Sequence, residues 1–191
     1  MRRAWLLAAV LAMTGCTAKG SSPDGERCGP ATSAAPVDDV LLAYLSRARA
    51  LHLEADVAEA SGDPARAKAA LSRLIDAPEP RPAPEIDEVV ADTRARLAEI
   101  RARGGDFDAA ERDVGAGLDR AREPTYFRGH LYEVLGLVHE RRAAALEKAG
   151  RADDAKAARA RAIDASEEAV KIQDHVLQRV APSPATSGAR P

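Results

Sequence analysis

The side chains able to do chemistry are few and poorly grouped. Histidines stand at His52, His130, His139 and His175, and cysteines at Cys16 and Cys28. A metal site on helices needs ligands one turn apart, such as two His four residues apart or a Glu three residues before a His. None of the histidines has such a neighbour. His139-Glu140 starts like a zinc-protease helix and lacks the second histidine. No Gly-x-Ser-x-Gly elbow occurs, no Lys-Ser/Thr phosphate loop is present, and Gly115-Ala116-Gly117 has no third glycine at dinucleotide spacing. The acidic pairs Asp38-Asp39, Asp153-Asp154 and Glu167-Glu168 fit helix starts or solvated faces, where a carboxylate near a start complements the positive helix end. The expectation is a protein that is not an enzyme, with no metal and no cofactor.

The chemistry that does stand out is at the N-terminus. Met1-Arg2-Arg3 is basic, Ala4 to Ala12 is an unbroken apolar run, and Met13-Thr14-Gly15-Cys16 follows. A basic start, a short apolar run and small residues describe a secretory signal over 1–15, too short to span a membrane permanently. An ordinary signal with an incidental cysteine, or an uncleaved anchor, would read similarly. Met13 to Cys16 resembles the lipobox of bacterial lipoproteins, with Met13 where Leu is usual. That resemblance implies cleavage before Cys16, a diacylglycerol on its sulfur and an acyl chain such as palmitate on its amine. Several acyl chains anchor durably, since each buried CH₂ contributes about 0.8 kcal/mol. Thr17 stands where Asp would imply inner-membrane retention, so the resemblance points to the outer membrane, facing the periplasm or the surface. Cys28 is then left without an intramolecular partner, and no disulfide framework is expected.

Of 191 residues, 30% are charged and 3% aromatic, so the core must be Ala, Leu, Val and Ile. Formal net charge is −2; without Arg2 and Arg3 there remain 26 basic against 30 acidic side chains. That balance leaves no electrostatic footprint for nucleic acid. Residues 16–36 are rich in Gly, Ser, Pro and Ala and read as a lipidated cysteine with a flexible tether; 181–191 reads as a disordered tail. Between them, 37–180 is one helical domain.

Its organisation turns on Gly105-Asp106-Phe107-Asp108-Ala109-Ala110. The pattern recurs at Gly62-Asp63-Pro64-Ala65-Arg66-Ala67 and at Gly150-Arg151-Ala152-Asp153-Asp154-Ala155, in steps of 43 and 45 residues. An amphipathic pattern flanks each turn on both sides. The first helix carries Val40, Leu41, Tyr44, Leu45, Ala48, Leu51, Ala55 and Ala58, and its partner Ala67, Leu71, Leu74 and Ile75. Four prolines between Pro78 and Pro84 make a stiff connector. The second pair carries Ile86, Val89, Val90, Thr93, Leu97 and Ile100, then Ala110, Val114 and Leu118 up to Glu123-Pro124. Gly115 and Gly117 weaken that helix unless a neighbour packs closely there. The third pair carries Tyr126, Phe127, Leu131, Val134, Leu135, Val138, Ala145 and Leu146, then Ala155, Ala162, Ile163, Ala169, Val170, Val176 and Leu177, and its last helix caps the array. The fold expected is all-α: about six helices in antiparallel hairpins, stacked as a short solenoid.

Seven residues before each turn glycine stands Ala55, Ala98 or Ala143; five after it stands Ala67, Ala110 or Ala155; four further on are Leu71, Val114 and Arg159. This spacing resembles the tetratricopeptide repeat, whose period is 34 residues, with departures in period, at Arg159 and in the closing proline. A generic antiparallel bundle is the alternative. The resemblance implies that the first helix of each pair lines a groove for a partner segment. By position that face holds His52, Asp56 and Glu59, then Asp92, Glu99 and Arg103, then Glu140, Glu147 and Lys148, with an acidic excess suited to a basic segment. The expected function is a membrane-anchored adaptor or scaffold for another envelope protein or peptide. The rival is a binding module for a small ligand or cell-wall fragment.

Overall fold

Three glycines close the three hairpins. Gly62, Gly105 and Gly150 take φ of 73°, 82° and 74°, a left-handed conformation in which a Cβ would clash. The residue after each glycine sends its N–H back five residues: Asp63 to the Ala58 carbonyl (2.9 Å), Asp106 to Arg101 (3.0 Å) and Arg151 to Leu146 (2.9 Å). The glycine N–H itself reaches Glu59, Ala102 or Glu147. This arrangement satisfies carbonyls that a helix end leaves open. The next helix begins at once, because Asp63 and Asp106 accept the N–H of Arg66 (2.9 Å) and Ala109 (3.3 Å). Arg151 cannot cap in this way, and its guanidinium instead reaches Asp154 at 2.7 Å.

A computed structural model of the chain describes residues 38–180. The expected signal peptide, Cys16, the expected tether, Cys28 and the expected tail lie outside the described residues. Six helices follow one another: α1 Asp39–Ala60, α2 Pro64–Ile75, α3 Pro84–Arg103, α4 Phe107–Arg120, α5 Tyr126–Lys148 and α6 Ala152–Val180. No strand occurs among the described residues. Each of α1/α2, α3/α4 and α5/α6 is an antiparallel pair; α3 also packs on α1 and α2, and α5 on α3 and α4. The order of contacts is solenoid-like. No helix among the described residues is long and apolar enough to cross a membrane.

The small residues sit where the helices meet. Ala55, Ala98, Ala143, Ala67, Ala110 and Ala155 are all at most 1% exposed, as their shared register requires. In the third hairpin the approach is close. A Cβ added to Gly136 would lie 2.9 Å from Ser166 Oγ and 3.2 Å from the Ala162 carbonyl oxygen. One helical repeat earlier, Gly129 faces Gln173, Ile172 and Ala169. Ala155, Ala158, Ala162, Ala165, Ala169 and Ile172 of α6 are buried at heptad spacing. Ala and Gly along one seam let two backbones run side by side.

α3 is buried on two faces. Ile86 and Val90 join Tyr44, Ala48, Leu51 and Leu74, while Leu97 and Ile100 join Ala55, Ala58, Ala67, Ala70 and Leu71. On the other side Ala91, Ala95, Ala98 and Ala102 meet Ala110, Val114, Leu131, Val134 and Val138. The expected stripes need correction elsewhere. Val40, Tyr126, Ile163, Val170 and Leu177 are exposed, as is Ala145. The first two stand at helix starts, Tyr126 touching only Phe127 and His130 of its own helix among aromatic rings. The next three lie on the side of α6 that no further helix covers, Ile163 and Val170 at the open groove between α5 and α6. α4 stops at Arg120 rather than at Glu123.

Candidate functional site

The first helices of the hairpins meet in a polar seam with an apolar pocket above it. His52 is placed by α1 one turn before Asp56, and Thr93 and Arg96 face it from α3. The Thr93 hydroxyl donates to the Val89 carbonyl at 2.7 Å, so its oxygen accepts from His52 Nε2 at 2.9 Å. That fixes the proton on Nε2 and leaves Nδ1 as acceptor for Arg96 Nη1 at 3.1 Å. Burial pushes His52 below the usual histidine range; Arg96 adds to this, while Asp92 and Asp56 oppose it. His52 is therefore a neutral bridge between α1 and α3.

Around it the charges interlock. Arg96 reaches Asp56 at 2.6 Å and Glu59 at 3.1 Å. Arg103 pairs with Glu59, and stands 3.9 Å from Glu99. Asp92 lies 3.7 Å from His52 Nδ1. Burial holds Arg103 below its ordinary value, with Arg141 of α5 acting in the same direction. Thus His52, Asp56, Glu59, Asp92, Glu99 and Arg103 do come together. Arg96, which sequence reasoning passed over, is the residue that joins them. Its four-residue step from Asp92 and its place on the same face of α3 were the available signal. The face is consequently less acidic than the carboxylates alone imply.

The third helix contributes differently. Glu140 lines a groove between α5 and α6, Glu147 pairs with Arg159 of α6, and Lys148 is exposed at the end of α5. None of these three joins the α1/α3 network. From α5 the first-helix face receives Phe127, which closes a pocket of about 340 Å³ lined by Leu45, Ala48, Arg49, His52, Val89 and Asp92. That lining comes from α1, α3 and α5 alone. The pocket has an apolar floor with a cation, a carboxylate and a neutral imidazole on its rim. It can hold one or two side chains of an extended segment and hydrogen-bond the polar groups beside them.

A second set of polar contacts ties α4 to α3 and to α5. Buried Asp113 accepts from Arg94 (2.8 Å) and Arg101 (2.7 Å), both on α3. His139 Nδ1 lies 3.3 Å from Glu111 Oε1 at an angle that makes no hydrogen bond, so both atoms are buried without a hydrogen-bond partner, although Glu111 Oε1 also lies 3.1 Å from Arg142 Nη2. Burial first, then Arg161 and Arg142, keep His139 below the usual range against the pull of Glu111. Among the described residues no group of three His, Cys, Asp or Glu is arranged to hold a metal ion. Comparison of the chain with known protein families, with curated proteins and with solved structures finds no match.

Proposed function

We propose that this chain is a lipid-anchored adaptor of the bacterial cell envelope, built of divergent tetratricopeptide-like hairpins, which binds an extended segment of a partner protein along its first helices. The observation that supports this reading is the pocket shared by α1, α3 and α5 and by no second helix. A partner segment would place an apolar side chain between Leu45, Val89 and Phe127, and a basic one against Asp92 and Asp56. Of these carboxylates Asp56 is the more open, with its side chain 59% exposed. The lipobox-like Met13 to Cys16 supports the anchoring half of the reading.

The test is crosslinking in the native envelope followed by capture of the tagged full chain and mass spectrometry. Capture with Asp56→Lys/Asp92→Lys, two substitutions at accessible carboxylates, gives the comparison. One abundant partner, lost from the reversed variant while its circular dichroism is unchanged, is the expected result. A partner retained at full yield by that variant, or no partner at all, overturns the reading. In that event a thermal-shift screen with wall fragments and small metabolites would follow.

A further inference from the structure

The interior of the stack repeats one packing event. α3 lies in the trough of α1/α2 and presses Ile86, Val90, Leu97 and Ile100 into it. α5 lies in the trough of α3/α4 and presses Leu131, Val134 and Val138 against Ala91, Ala95, Val114 and their neighbours. Both ends of the stack are left with half of that event. At the C-terminal end, the trough between α5 and α6 is an open groove of about 850 Å³. Its floor, Gly136 and Ala162, stands in the register of Ala91 and Gly117, counted back and forward from Gly105 and Gly150. Gly117 is where Leu131 of α5 docks, since a Cβ there would lie 2.6 Å from Leu131 Cδ2. The groove continues over Leu137, Ile163 and Val170, of which Ile163 and Val170 are more than half exposed.

At the N-terminal end, α1 shows the complementary face. The docking residues of α3 and α5 begin nineteen residues before their turn glycines, at Ile86 and Leu131. Nineteen before Gly62 is Ala43. Continuing down the same face come Ser46, Ala50, Leu53 and Val57, all exposed. Arg47 and Glu54 also fall on it, in the register of Val90 and Leu97. Leu97 shares a buried cluster with Leu71. The place of Leu71 in the third hairpin is taken by Arg159, which breaks the repeat pattern. Hence where the interior sets Leu97 by Leu71, the two free ends would set Glu54 by Arg159. Both charges now have surface partners, Glu54 with Arg73 and Arg66 and Arg159 with Glu147, which are exposed pairs able to exchange. A charge pair at such a rim fixes register and partner choice more than affinity.

We propose that the protein associates head to tail with itself, α1 of one copy lying in the α5/α6 groove of the next and repeating between molecules the packing used twice within the chain. The contact joins two different surfaces, so it extends past the dimer, into a filament or, where the rotation closes, a ring. It leaves the pocket on the first helices free and stands apart from the adaptor reading.

Sedimentation velocity of the full chain in detergent, with detergent mass subtracted, tests this over a wide concentration range. The wild type should grow with concentration past the dimer. Leu53→Glu and Ile163→Glu lie at exposed positions on the two opposite faces, so each should keep its helicity and sediment as a monomer. Mixed in equal amounts, they should form a one-to-one dimer and nothing larger, because one variant retains the groove and the other retains the α1 face. Wild type that stays monomeric throughout overturns the proposal. So does a mixture that forms no dimer. A closed dimer lost in Ile163→Glu and untouched by Leu53→Glu would place a second α6, rather than α1, in the groove, and would equally overturn it.

Discussion

Asp113 shows how a single residue binds two helices. Its carboxylate on α4 is held between Arg94 and Arg101 of α3, and its side chain is 7% exposed. The equivalent place in the other hairpins is alanine, Ala70 and Ala158. Alanine at 113 would therefore fit, yet it would leave two guanidiniums facing a buried gap. Asp113→Ala should cost about 1.5–3 kcal/mol, the worth of hydrogen bonds to a charged group, read by urea unfolding; the two arginines it leaves behind are partly exposed and can still reach water. Replacing Arg94 and Arg101 by Met in the same chain should recover much of that loss. A variant with alanine at 113 alone that unfolds at the wild-type midpoint would show the clamp to be idle.

The buried histidines give the molecule a pH response of defined sign. Burial lowers both His52 and His139 from the ordinary value of 6.5. Below that value the unfolded chain takes up protons that the folded chain resists, so stability rises with pH across this window. Their contribution is complete above about 6.5 and is lost as pH falls toward the lowered folded values. The melting temperature should drop between pH 7 and pH 5, and His52→Gln/His139→Gln should flatten the drop. An unchanged slope in that variant would assign the response elsewhere.

At the scale of the element, glycines separate helix propensity from helix packing. Gly115 and Gly117 lie two residues apart on α4. A Cβ at Gly115 meets nothing within 4 Å, whereas one at Gly117 would strike Leu131 at 2.6 Å and Arg94 Cβ at 3.3 Å. Gly115→Ala should thus stabilise by about 1 kcal/mol, and Gly117→Ala should destabilise despite the same gain in propensity. Gly136→Ala should destabilise too, because the Ala162 carbonyl oxygen that it would meet belongs to backbone and cannot swing aside. Thermal melts of the three variants check the contrast. If Gly117→Ala melts higher than Gly115→Ala, the close approach of α5 to α4 is wrong.

At the scale of the whole molecule, the proposed anchor and the helical stack act on different terms. An acylated Cys16 would hold the chain at a membrane. Cys16→Ser should abolish incorporation of labelled palmitate and release the protein from the membrane pellet into the soluble fraction. The released chain should keep its helical spectrum, since Asp38, the first described residue, already caps α1 through Leu41 N at 3.0 Å. A variant that stays in the pellet would point to an uncleaved apolar segment or to membrane partners as the anchor.

What was legible in the sequence was whatever is decided locally. Turn glycines, the caps at Asp63 and Asp106 and the alanines at fixed distance from the glycines report backbone geometry and helix approach, and both follow from residue type at short range. The same holds for the all-α class and the helix boundaries, apart from the end of α4, where nothing local stops the chain between Arg120 and Pro124. Burial on the far side of a helix is a different matter. The stripe Ile163, Val170 and Leu177 has an apolar period whether or not anything covers it, and only the position of α6 at the end of the stack leaves it open. The α3 alanines at 91, 95 and 102 likewise read as a neutral face until α5 is seen to lie on them, whereas Ala98 already stood out by its distance from the turn glycine. The seam on the first helices was legible as a set of polar positions. Its pairing through Arg96, and the departure of Glu140 and Glu147 toward α6, depend on helix rotation and separation, which tertiary packing alone sets.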